Sequence, residues 1–265
     1  MKRGKTDAAD AGAICEAVTR PTMRFAPVKS AGQQASAMVL KTRDLLVRQR
    51  SQTINALRAH LGELGVVAGT GVAKVAGLVA IVRNPQDDRL PAAARLALTS
   101  LADQIDRPTA EVEGLERQIV AAVRRDDEMR RMTTVPGVGP ITAAAVKALV
   151  PDIAGFTSAR HFAAWLGLTP KPNSSGGKER LGSISKMGNA TLRTLLVVGA
   201  TSVLRHVRSA ANGPAWLIGL LARRPAKVVA VALATKMARI IFALLTKGGE
   251  YRKPEWTKGM ESAAA

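Results

Sequence analysis

Two apolar seams of matching period constrain this chain more than any other feature. Leu40, Val47, Ile54 and Leu61 recur every seven residues, with Leu57 and Leu64 three residues after the last two. Leu98, Ile105, Val112 and Ile119 repeat the same spacing further on. A seven-residue apolar repeat lays a stripe along a helix and requires a second helix against it. The spacing predicts one long helix from about Gln33 to Leu64 and another around residues 98–119. Between them lie a glycine-rich break (Gly62, Gly65, Gly69, Gly71), an apolar segment up to Val82, and the loop Asn84-Pro85-Gln86-Asp87-Asp88. Pro108 sits inside the second seam and predicts a kink or two consecutive helices there. The pair reads as an antiparallel helical hairpin, its core completed within the chain or by a second subunit. Lys41, Arg43, Arg48, Arg50 and Arg58, opposite the first seam, are expected to form a solvated face.

Aromatic residues make up only 3% of the chain while Ala, Leu and Val abound, which favours a mainly α fold over sheets. The formal charge of +19 and pI near 11.1 point to a polyanionic partner. Arg223, Arg224, Lys227, Lys236 and Arg239 interrupt the most apolar region, Ala215 to Leu245, so no membrane span is expected. The first residues lack the apolar run of a signal peptide, which suits a cytoplasmic protein. A single cysteine, Cys15, rules out an internal disulfide and a cysteine-rich zinc site, and it is expected to be buried. His60, His161 and His206 are far apart, and no Walker loop is present.

The stretch Thr133 to Arg193 carries the clearest chemistry. Between residues 133 and 210 there are nine Lys/Arg against two acids, Asp152 and Glu179. Met132, Val135-Pro136-Gly137-Val138-Gly139, Ala143 and Val146 have the spacing of a helix-hairpin-helix element. There Gly137 and Gly139 would let the backbone approach a phosphate, or would simply make a tight turn. Asp152 to Gly167 reads as another helical piece with Trp165 in the core, and Leu168 to Asn173 as a loop. Ser174-Ser175-Gly176-Gly177-Lys178 follows. Ser175 is either a turn former or a nucleophile toward phosphorus, with Lys178, Arg180, Lys186 and Arg193 close in sequence. Asn189 can cap a helix that runs to about His206.

At the other end, Asp7 and Asp10 are three apart on a predicted helix and share a face. They either complement the helix dipole or hold a cation between them. Pro21 and Pro27 bracket a connector carrying Arg24 and Lys29. Helices over Pro214–Leu221 and Ala226–Thr246 are expected to pack on the basic stretch, with Lys227, Lys236 and Arg239 as an edge. Gly248 to Ala265 reads as a fraying tail.

Lys5-Thr6-Asp7-Ala8-Ala9-Asp10-Ala11, Val135-Pro136-Gly137-Val138-Gly139, Gly167-Leu168-Thr169-Pro170, Ser175-Gly176-Gly177-Lys178 and Ile184-Ser185-Lys186-Met187-Gly188-Asn189 occur in that order. Leu192-Arg193 and the segment from Lys227 to Tyr251 fit the same pattern. This ordered set, spread over essentially the whole chain, resembles the DEDD transposases of bacterial insertion sequences, the IS-one-ten family. The resemblance implies a remnant of a RuvC-like nuclease domain over 1–32 and a coiled-coil arm over 33–128. A helical C-terminal transposase domain with a helix-hairpin-helix would follow over 129–250, then a flexible tail over 251–265. It implies DNA as substrate, a structured guide RNA, a homo-oligomer, and Mg2+ held by an acidic tetrad. Asp7 and Asp10 match the last two acids of that tetrad, as catalytic and metal-binding residues. Ser175 matches the serine that becomes linked to DNA, with Ser174 the less favoured candidate. Gly137, Gly139, Lys171, Lys178, Arg180, Lys186 and Arg193 are the expected nucleic-acid contacts. The family's first Asp and its Glu would lie upstream of Met1, so a chain truncated at its N-terminus is expected. The competing readings are a non-catalytic nucleic-acid-binding remnant or regulator, and a structural coiled-coil adaptor.

Overall fold

The computed structural model describes residues 6–258 apart from 24, 26, 179, 211 and 253–255. Met1 to Lys5, Arg24, Glu179 and much of the 251–265 tail therefore lie outside the described residues. Helix α1 (Asp7–Thr19) starts where the Thr6 hydroxyl accepts from the Ala9 amide at 3.3 Å, an N-cap. Its sequence is rich in alanine with only isolated large apolar residues, so it presents no continuous apolar stripe, and none of its residues is buried. Cys15, expected in a core, is exposed for that reason.

The arm begins at a capping box. The Gln33 amide donates to Ser30 Oγ at 3.2 Å, and the Ser30 amide donates to Gln33 Oε1 at 3.0 Å. Helix α2 (Ala31–Glu63) then runs roughly 50 Å at about 1.5 Å per residue. A 3-10 turn at Val72–Lys74 leads into α3 (Val75–Arg83), and α4 (Ala92–Arg125) returns antiparallel along α2. The helix continues unbroken through Pro108, where two helices were an alternative. Proline deprives the Gln104 carbonyl of its amide partner, but Gln104 is exposed and water can take its place. Leu40, Ile54, Leu57 and Leu61 meet Leu98, Ile105, Val112 and Ile119 in burial, while Val47 is half-buried.

The far end of the arm closes its own core. Val66, Leu78, Val82 and Leu90 join Ile54, Leu57, Leu61, Leu98 and Ile105 in one apolar cluster. Arg58, expected to be solvated, instead donates to the carbonyls of Ala68, Gly69 and Gly71, and so pins the glycine-rich break. Arg43 likewise turns inward, with Nε 2.8 Å from a Glu116 carboxylate oxygen on α4. At its base the arm merges with the body, because Ala37, Leu40, Ile119 and Val123 share one core cluster with Met132 and Val146.

The body opens with α5 (Asp127–Thr133), capped by Asp126 Oδ1 accepting from Met129, and α6 (Pro140–Leu149), with proline in its first turn. The predicted helix over Asp152–Gly167 shortens to α7 (Ala159–Trp165). Asp152 Oδ1 captures the Ala154 amide at 2.8 Å, which holds the chain in a turn until Ser158 caps the helix. Phe162 is fully buried and Trp165 half-buried, joined edge-on by Phe156.

The predicted loop after Leu168 is an antiparallel hairpin, β1 (Pro170–Pro172) against β2 (Leu181–Ile184). Helix α8 (Ala190–Ala210) follows, then β3 (Asn212–Pro214), α9 (Ala215–Leu221) and α10 (Ala226–Lys247). Within the tail, β4 (Trp256–Lys258) pairs antiparallel with β3. Among the described residues α10 alone is long and apolar enough to cross a membrane, notwithstanding Lys236 and Arg239. Val229, Leu233, Met237, Ile241 and Leu244 bury its inner face in the body.

Candidate nucleic-acid interface

Glycines fix the hairpin at its base. Gly167 (φ 71) and Gly188 (φ 91) bring the segments Trp165–Leu168 and Lys186–Asn189 together backbone to backbone. A Cβ on Gly167 would collide with the Met187 backbone, and one on Gly188 with the Trp165 carbonyl oxygen. The Arg193 guanidinium bridges the two segments, donating to Leu166 O at 2.9 Å and Met187 O at 3.3 Å. Asn189 Oδ1 accepts from Leu192 at 3.0 Å and starts α8 directly beneath this crossing.

At the tip, the Lys178 amide donates to Ser175 O at 3.1 Å around Gly176 (φ 57) and Gly177 (φ 75). Two successive positive φ values make a type I′ turn, the two-residue connection that matches strand twist. Ser175 therefore is a turn residue, and its hydroxyl stays exposed and makes no hydrogen bond among the described residues. Ser174 differs, since its Oγ accepts from the Arg180 amide at 3.3 Å and closes the hairpin.

Lys171, Lys178 and Arg180 along the hairpin and Lys186 at its base are all exposed. Lys186 holds a left-handed backbone (φ 55), which is uncommon for a non-glycine residue. None of the four is in an ion pair among the described residues. Every ion pair there falls between Glu16 and Lys147, in α1, the arm and the start of the body. From residue 153 to 249 the sequence holds fourteen Lys/Arg and one acid, Glu179. The ion pairs are thus segregated: among the described residues they lie along α1, the arm and the start of the body, and none falls over the hairpin, α8 or α10.

The two glycines of the Val135–Gly139 turn, which links α5 to α6, play different parts. Gly137 (φ 87) lies against α8, where a Cβ would stand 2.8 Å from Gly199 O and 3.0 Å from Met237 Cε. It serves the packing of the turn onto α8. Gly139 precedes α6 with open space around it. Gly199, a partner that no spacing pattern singled out, is the other half of the Gly137 contact.

Asp7 and Asp10 occupy the first turn of α1, both exposed. No hydrogen bond or ion pair links them to the Ser175 hairpin among the described residues. No group of three or more His, Cys, Asp or Glu side chains there could hold a metal ion. Two carboxylates alone do not supply the octahedral oxygen set that magnesium requires.

A family model described as the transposase IS116/IS110/IS902 family matches residues 129–213, from α5 to β3. Over 254 residues, 95% of this chain, the sequence is 47% identical to a probable family 20 transposase of Pseudomonas aeruginosa, covering 75% of it. It is 44% identical over 257 residues to the putative transposase y4pF/y4sB of Sinorhizobium fredii, covering 96% of this chain and 66% of that protein. It is 37% identical over 253 residues to the transposase for insertion sequence element IS1111A of Coxiella burnetii, covering 95% of this chain and 70% of the relative. The chain thus spans 66% to 75% of the length of these curated relatives. Identity at this level over nearly the whole sequence places the chain in the IS116/IS110/IS902 family of transposases.

Proposed function

We propose that this chain binds DNA through the uncompensated basic face of its body and presents Ser175 to a phosphodiester. The observation that carries the proposal is the Ser175 turn, on a hairpin whose four exposed cations have no ion-pair partner among the described residues, inside the segment that the family model matches. In the step envisaged, Ser175 Oγ loses its proton and bonds to phosphorus. The bond from phosphorus to a deoxyribose oxygen breaks, and that oxygen takes up a proton. One diester is exchanged for another, so no energy-rich cofactor is consumed. Lys171, Lys178, Arg180 and Lys186 would stabilise the charge that builds on the phosphoryl oxygens. Ser174, already engaged with Arg180, is the weaker candidate. Asp7 and Asp10 would supply part of a magnesium site, with water and phosphate oxygens filling further positions. A structured guide RNA and a homo-oligomer complete the proposal.

The test is to incubate the protein with element-end DNA, the element's structured RNA and magnesium, and to resolve the products on a denaturing gel. A protein–DNA adduct that survives Ser174→Ala and disappears in Ser175→Ala is expected. An adduct that persists in Ser175→Ala removes the serine from the mechanism. A second reading, binding without catalysis, is favoured by one observation: the Ser175 hydroxyl has no hydrogen-bonded base among the described residues. That reading predicts no adduct, yet DNA affinity that falls with salt by about 0.9 log units per log unit for each phosphate contacted.

A further inference from the structure

The short helix α9 carries Trp216, whose residue surface is 36% exposed in a chain with only three tryptophans. Its indole N–H makes no hydrogen bond among the described residues. Lys236 Nζ lies 4.0 Å from the ring centroid. An open groove of about 480 Å³ runs beside the ring, within the roughly 300–1,000 Å³ of small-molecule sites. Small side chains, Ala159, Ala232 and Ala243, line it together with Lys236 and Arg239. Those two cations are three residues apart, so they share a face of α10. Both are exposed, and neither has an ion-pair partner among the described residues. Trp216 and Lys236 also line a second, smaller recess next to Pro136 and Tyr251.

We infer that the groove between Trp216, Lys236 and Arg239 is a second nucleic-acid contact that takes an unpaired nucleotide. Its base stacks on the indole, and its flanking phosphate lies between the two cations. A stacked base would displace the Lys236 ammonium from the ring, and the ammonium would find a full negative charge on the phosphate instead. The uncompensated charge of the body selects a polyanion, while the exposed ring selects one with flat apolar faces between its charges. A single strand has both properties; an acidic peptide has only the first. Stacking of this kind tolerates any base, because each has a π-face. The inference rests on the proposed nucleic-acid function and adds to it a distinction between single strands and duplex.

The experiment uses the full chain with a labelled oligothymidylate and a duplex of equal length, each titrated over a range of salt. Trp216→Ala is expected to weaken oligothymidylate binding about tenfold and leave duplex binding unchanged, with Trp216→Phe retaining most of the affinity. Arg239→Ala, at an exposed position where folding is not at stake, should lower the single-strand salt slope by about 0.7. If Trp216→Ala weakens both probes equally, or neither, the groove is not a single-strand site even though the basic face binds. An unchanged slope in Arg239→Ala overturns the inference as well, and so does polyglutamate competing as well as oligothymidylate. If the unaltered chain binds neither probe at low salt, the proposed function fails together with it.

Discussion

Gly199→Ala is the substitution whose outcome separates helix propensity from tertiary packing. Gly199 lies in the interior of α8, where alanine in place of glycine ordinarily stabilises a helix by about 0.8–1.0 kcal/mol. The added methyl, however, would stand 2.9 Å from the Gly137 carbonyl carbon and still closer to its oxygen. Both are backbone atoms of a turn whose other side is held by Met237, so neither can move as a side-chain end could. Relieving such overpacking costs about 1–3 kcal/mol, occasionally more, and outweighs the propensity gain. Gly114→Ala is the matched control. It too lies inside a long helix, but the nearest atom to its added methyl is Arg117 Nη2 at 3.9 Å, an ordinary contact. It should therefore stabilise by roughly 0.5–1 kcal/mol. Thermal and urea unfolding followed by circular dichroism would read both, with about 2–4 °C per kcal/mol for a chain near this size. Gly199→Ala is expected to melt below the unaltered protein, and Gly114→Ala above it. A Gly199→Ala variant as stable as Gly114→Ala would refute the close approach of the Val135–Gly139 turn to α8.

Three further outcomes follow from local chemistry. Asn189→Ala removes the N-cap of α8 and should cost about 1 kcal/mol in urea unfolding, while Asn189→Asp should retain most of the cap; equal losses would show that capping is not its role. The Arg89 guanidinium, hydrogen-bonded to Asp87, holds that carboxyl down at about 2, below its ordinary 3.8. A depressed carboxyl contributes stability that is complete above pH about 4 and lost as pH falls toward 2. Arg89→Ala should return the Asp87 titration to the ordinary carboxylate range in a carboxyl-carbon NMR experiment, and an unmoved titration would deny the pairing. Finally, Cys15 should react with a thiol reagent in the native protein as fast as in the unfolded one; strong native protection would mean that α1 is covered.

Side chains with mass and period wrote the arm plainly into the sequence. Leu40, Ile54 and Leu61 with Leu98, Ile105 and Ile119 announce paired helices because an apolar repeat requires a partner helix, and the structure supplies that partner from within the chain. The hairpin of residues 170–184 was not legible as strands. Its strands are only three and four residues long, the first holds two prolines, and neither buries a face, so period and propensity say nothing. What makes it is the run Ser175-Gly176-Gly177-Lys178, whose two glycines read equally as flexibility or as a type I′ turn until the flanking segments are seen to pair. Arg58 and Arg193 illustrate the same limit from the other side: a cation on a helix looks solvated or anion-seeking, and only tertiary structure reveals that its partners are backbone carbonyls. Ion pairing shows where charge remains to be satisfied. Among the described residues the ion pairs lie along α1, the arm and α5–α6, and the cations after Lys147 are in none. An excess of that kind destabilises the isolated fold by self-repulsion, and the binding of a polyanion relieves it. The basic face should therefore gain stability on binding nucleic acid, whereas the ion-paired arm should gain little.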